Sequence, residues 1–183
     1  MKIRLKNYIK YKFFNSLFTG LSVGSVFVIY TPLKPSIFSL GGIVLAVGMI
    51  VIARFYDVLM NIKRFFQISL MVELVILFLV ILFLIKPYTY MTALLVYAGY
   101  QLTFMFGSYL VRAETLFLKK SFALSRVDIA KQLGYLAGMV GSYLFYELIE
   151  APKQMQVYYL HFILLLVEIV IILNLIKSFK GIK

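Results

Sequence analysis

Apolar residues in this chain gather in six long, nearly unbroken runs instead of recurring at one helical face. The runs cover approximately residues 13–31, 36–53, 67–85, 90–111, 128–149 and 157–176. A helix rises about 1.5 Å per residue, so about 20 residues cross a hydrocarbon core of roughly 30 Å. Each run is close to that length, which predicts six transmembrane helices in one domain over residues 1–183, with only short connectors between them. Pro32, Pro35, Pro87 and Pro152 fall in alternate connectors. Proline lacks an amide donor, and water in such connectors removes that cost. Tyr88, Tyr90, Tyr158 and Tyr159 lie beside them, as interfacial aromatics do.

Composition strengthens this reading. Hydrophobic residues make up 63% of the 183, and mean hydropathy is +0.96. A soluble domain is about half apolar, so lipid is the expected solvent. The N-terminus is basic and then apolar, like a secretory signal. Its apolar stretch is long and no small-residue cleavage site follows, so it reads as a retained first helix. The chain has no cysteine, which removes disulfides, thiol catalysis and thiolate metal ligands.

The net charge of +12 invites a nucleic-acid partner, but its distribution argues otherwise. With connectors assigned to alternate sides, sixteen of the nineteen lysines and arginines fall on the side of the N-terminus. They occupy the N-terminal arm, residues 54–64, residues 112–131 and the C-terminal tail. Lys34, Lys86 and Lys153 are the other three. The positive-inside rule makes the rich side cytoplasmic, with both termini inside. Anionic lipid headgroups account for these cations without any soluble nucleic-acid-binding element. A multi-pass protein of the cell membrane is expected, a bacterial inner membrane being the best fit. The longest connector, Arg112 to Val127, has Leu118 and Phe122 on one helical face and predicts a short helix in the headgroup plane. Ser125-x-x-Asp128 reads as the start of the fifth helix.

Polar residues inside the runs are the functional candidates, because hydrocarbon tolerates them poorly. The first helix carries Asn15, Thr19 and Ser22 at steps of four and three, and the fourth carries Tyr97, Gln101 and Ser108. These stripes either line a water-filled cavity, with Asn15, Ser22, Tyr97 and Gln101 toward a solute, or bond helix to helix. Glu73 and Glu168 stand inside the third and sixth helices as possible proton carriers. Gly20-x-x-x-Gly24, Gly134-x-x-x-Gly138 and Ala137-x-x-x-Gly141 have the spacing that brings helix backbones together in lipid. They serve either one six-helix unit or a contact between copies. Catalytic signatures are missing: His161 is the lone histidine, the seven carboxylates are scattered, and no phosphate-binding glycine loop occurs. No enzyme activity, metal or cofactor is expected.

The stretch "ARFYDVLMNIKR", residues 53–64, joins the second and third helices on the basic side. It resembles a worn form of the major facilitator superfamily signature, Gly-x-x-x-Asp-Arg-x-Gly-x-Arg-Arg. Asp57 holds the aspartate position. Ala53, Val58 and Met60 replace the first glycine, the first arginine and the second glycine. Lys63 and Arg64 supply the basic pair one place late. The second helix also resembles its counterpart there. The six-helix plan resembles one half of such a transporter, whose two halves normally share one chain. The resemblance implies that the first and fourth helices line a cavity, that the second and fifth meet the opposite half, and that the third and sixth lie outside. It further implies a parallel homodimer in which Asp57 faces the partner's fifth helix near Lys131, with Gly134, Gly138 and Gly141 at the interface. The antiporter glycine motif is incomplete here, since Met139 replaces its proline. Two rival expectations stand beside this one. The first is a substrate-capture subunit of an energy-coupling-factor importer, similar in size but without the Ala-x-x-x-Ala contact motif. The second is a non-transporting membrane assembly factor or scaffold.

Overall fold

The structure is a computed structural model and describes residues 1–181. Lys183, counted above in the basic C-terminal tail, lies outside the described residues. The elements run β1 (Lys2–Ile3), α1 (Leu5–Ile29), α2 (Pro35–Arg54), α3 (Tyr56–Leu59), α4 (Ile62–Ile85), α5 (Tyr90–Met105), α6 (Gly107–Leu118), α7 (Ser121–Leu148), α8 (Lys153–Ser178) and β2 (Phe179–Lys180). The protein is an all-α membrane protein. α1, α2, α4, the α5–α6 pair and α8 are each long and apolar enough to cross a membrane. α7 is as long but more polar and falls outside that group.

Helices cover all six apolar runs, and most begin earlier than the runs do. α1 starts at Leu5, not near residue 13, because the basic arm is itself amphipathic. Tyr8 and Tyr11 turn inward and are buried, while Lys6 and Lys10 stay exposed. α4 starts at Ile62, where Asn61 caps it by accepting a hydrogen bond from the Arg64 amide at 2.9 Å. Thr89 caps α5 in the same way through the Thr92 amide at 3.1 Å.

The expected headgroup helix over 112–127 does not form. α6 continues to Leu118, the chain reverses at Lys119 and Lys120, and α7 begins at Ser121. Lys119 adopts φ +56 at this reversal, a backbone conformation costly for a residue with a Cβ. Leu118 and Phe122 therefore end on different helices, and Ser125 and Asp128 lie within α7. The fourth predicted helix is interrupted at Phe106, whose amide turns to Thr103 O at 3.2 Å, one residue short of helical spacing.

Both chain ends meet at one end of the bundle. β1 and β2 pair antiparallel, Lys2 opposite Lys180. The Arg4 amide donates to Ser178 O at 2.7 Å, and the Asn7 side chain donates to Lys177 O at 2.9 Å. At the far end, the Tyr88 hydroxyl donates to Gln154 O and ties the α4–α5 turn to α8.

Helix neighbours follow a simple pattern. α1 packs on α7 and α8, α4 packs on α8 and α5, and α2 packs on α5. Exchanging the first three long helices for the last three leaves this set of neighbours unchanged. The α1–α7 pair is the most extensive contact and the glycines make it possible. A Cβ at Gly138 would stand 2.9 Å from Gly20 Cα and from the Leu21 amide nitrogen, and one at Gly134 would stand 3.0 Å from Phe13 C. Backbone therefore meets backbone within a single chain. α2 is held more loosely. None of its residues is buried, and it docks by seating Tyr97 of α5 against Gly41.

Candidate functional site

α1 and α5 lean apart enough to leave a cavity of about 440 Å³ between them. Asn15, Thr19 and Ser22 of α1 and Gln101 and Thr103 of α5 supply its polar lining. The opening lies between exposed Phe27 on α1 and exposed Phe104 on α5. α7 flanks α1 and α2 flanks α5, so the face bearing the opening runs α2, α5, cavity, α1, α7.

Glu73 of α4 and Glu168 of α8 form part of the lining opposite that opening. Glu73 is 11 positions from the start of α4 and Glu168 is 10 from the end of α8, so they stand at one depth, roughly 15 Å from the end that carries the termini. Their exposures are 2% and 1%, and the two carboxyls are neighbours on the same cavity wall. The family resemblance placed the third and sixth helices on the outside. Here α4 and α8 turn their carboxyls inward, because a carboxyl facing lipid would have neither water nor partner.

The two carboxyls are held differently. The Tyr11 hydroxyl donates to Glu73 Oε1 at 2.6 Å, and the Asn15 amide donates to it at 3.1 Å. Glu168 Oε1 is buried with no partner. The cavity hydroxyls do not help it, because they are turned back on their own helices. Thr19 donates to Asn15 O at 3.1 Å, Ser22 to Thr19 O at 3.1 Å, and Thr103 to Tyr100 O at 2.8 Å.

A second polar cluster lies nearer the end with the termini. Buried Glu114 of α6 accepts from the Tyr8 hydroxyl at 2.7 Å and pairs with Lys12 at 2.6 Å and with Lys131. Lys131 also reaches Asp128 at 3.3 Å. The rings of Tyr8 and Tyr11 are 5.6 Å apart and join the two clusters along α1.

The remaining candidate residues separate into two groups. Asn15, Ser22, Gln101, Glu73 and Glu168 converge on the cavity. Tyr97 does not: its hydroxyl donates to Phe38 O of α2 at 3.0 Å, and its ring packs edge-on against Tyr30, which lines the cavity. Asp57 is exposed on α3. Lys131, expected near a partner's Asp57, is engaged by Glu114 of its own chain. Gly134 and Gly138 face α1 of the same chain, and Gly141 is in ordinary contact with Leu21. His161 is buried, with Nδ1 2.7 Å from Val157 O and its ring centre 4.1 Å from that of Phe83 at a tilt of 35°.

Sequence reasoning missed Tyr8, Tyr11, Lys12 and Glu114. The signal was available in α1, where Tyr8, Tyr11, Asn15, Thr19 and Ser22 continue one stripe at steps of three and four.

Compared with known protein families, with curated proteins and with solved structures, the chain shows no significant match. The functional reading therefore stands on its own residues and geometry.

Proposed function

We propose that this protein is one half of a transporter of major-facilitator type, acting as a parallel homodimer that moves a small solute by alternating access. The observation that carries the reading is the cavity between α1 and α5. It opens on one flank of the bundle, and at its far wall two carboxyls stand near mid-membrane depth. An open polar flank in lipid needs a cover, and a second copy in the same orientation supplies the matching flank.

Three features support it. The neighbour pattern of the helices is preserved when the two sets of three are exchanged, as expected of the nested repeats in a half-transporter. The pairing of the two chain ends at one end of the bundle supports an even number of crossings, with α7 read as the sixth span despite its polarity. The sixteen-to-three split of basic residues orients every copy alike, with its termini in the cytoplasm. Placement in the cell membrane, with no cofactor and no chemistry of its own, completes the reading.

Single cysteines on this cysteine-free chain test it. In sealed vesicles, Lys34→Cys and Lys120→Cys should react with an impermeant thiol reagent from opposite faces. Gln101→Cys should react from both faces, since its site opens to each in turn. Failure of Gln101→Cys to react from either face would indicate a packed scaffold and end the transport reading.

A further inference from the structure

We propose that the α1–α5 cavity binds a small amphipathic organic cation, with the Glu73–Glu168 pair as its counter-charge. The inference uses the cavity of the transport reading but does not require that the solute be moved.

Charge balance is the first ground. Glu114 engages Lys12 and Lys131, and Asp128 shares Lys131, so these two cations and two anions answer each other. Glu73 and Glu168 are left over. Neither forms an ion pair among the described residues: Glu73 is bonded by Tyr11 and Asn15, which are neutral, and Lys12, the cation that acts on it, is bridged to Glu114 instead. Among the described residues, no lysine or arginine lines the cavity. Uncompensated carboxyls at this depth need a cation or a proton.

The chemistry of the walls selects between ligand classes. Hydroxyls of Thr19, Ser22 and Thr103 commit their hydrogens to their own helix backbones and are left as acceptors, while Gln101, Tyr30 and Tyr100 can also donate. An anion would lie beside the carboxyls of Glu73 and Glu168, and like charges repel. Glu168 Oε1, buried and unpartnered, is an acceptor awaiting a donor or a positive charge. Phe18, Phe27, Tyr30, Tyr100 and Phe104 line the same space. Aromatic faces attract ammonium groups and accept apolar bodies equally well. A volume of about 440 Å³ suits a compact ligand.

The test uses the purified full chain in detergent or lipid nanodiscs, titrated calorimetrically with benzyltrimethylammonium. Benzyl alcohol and phenylacetate serve as the neutral and anionic counterparts. The cation should bind saturably and more tightly than either. Glu168→Gln and Glu73→Gln should each weaken it roughly tenfold or more, as loss of a buried counter-charge requires. Glu168→Asp should retain part of the affinity, and near-UV circular dichroism should show all three variants folded. Equal affinity for the cation and benzyl alcohol, no saturable cation binding, or unchanged cation affinity in folded Glu168→Gln would overturn the proposal. In those cases the pair holds only a shared proton. Cation binding by a protein whose Gln101→Cys reacts from neither face would leave this inference standing and remove transport alone.

Discussion

Replacing Gly138 with alanine probes the closest packing in the molecule. The new Cβ would lie 2.9 Å from Gly20 Cα and 2.9 Å from the Leu21 nitrogen, with Leu17 O also in the way. Carbon atoms rest roughly 3.5–4.0 Å apart, so α1 and α7 must separate by about 0.6–1 Å. Every obstacle is backbone, and no side-chain rotation relieves it. A gap of that size forfeits a sizeable part of each contact along the most extensive helix interface of the fold. Overpacking of this kind costs about 1–3 kcal/mol, and the backbone obstacle argues for the upper half. For a chain of this length each kcal/mol moves the midpoint by about 2–4 °C, so about 2–3 kcal/mol gives a fall of about 4–12 °C. The assay is thermal unfolding in mild detergent at two protein concentrations. The loss should be independent of concentration, because the glycines act within one chain. Ala137→Leu, on the exposed face of the same helix, should leave the midpoint near its starting value. A wild-type midpoint for Gly138→Ala, or a loss that appears only where copies associate, would refute the reasoning.

Two further substitutions test other joints. Glu114→Gln leaves the Lys12 ammonium without its paired carboxylate and Lys131 with exposed Asp128 alone, and should cost about 2–3 kcal/mol, below the full penalty of a wholly buried pair. Denaturant titration reads that loss, and adding Lys12→Met should recover part of it; an unchanged midpoint would place the cluster in free contact with water. Gly41→Leu should push the Tyr97 ring off α2 and raise hydrogen exchange over residues 35–54, whereas Gly42→Leu, with nothing within 4 Å of its Cβ, should not. Equal exchange in the two variants would mean that α2 docks by some other contact.

Much of the fold was legible in the sequence because lipid makes a blunt demand. A run of about 20 apolar residues has few other uses, so six runs predict six helices without knowledge of any contact. The polar stripe of α1 was legible for the same reason, and it does line a cavity. Pairings between distant segments were not. Glu73 and Glu168 each look like isolated charges, and nothing local says that α4 and α8 bring them to one depth. Lys12 was grouped with a basic arm, since its neighbours Lys6 and Lys10 face water, yet α1 carries it inward to Glu114. Tyr97 and Gln101 share a helical face one turn apart. The approach of α2 at Gly41 captures Tyr97 and leaves Gln101 to the cavity. Spacing identifies a face, whereas tertiary packing decides what meets it.

The central claim is that two copies cover each other's open flank. It is tested most directly by pulsed electron spin resonance on singly labelled chains in a bilayer, using Phe104→Cys at the cavity opening and Phe78→Cys on the exposed far side of α4. The account predicts one narrow distance of about 20 Å, two helix diameters, between labels at 104, and at least twice that between labels at 78. Labels at 78 closer than those at 104, or no distance beyond random background at either site, would contradict it.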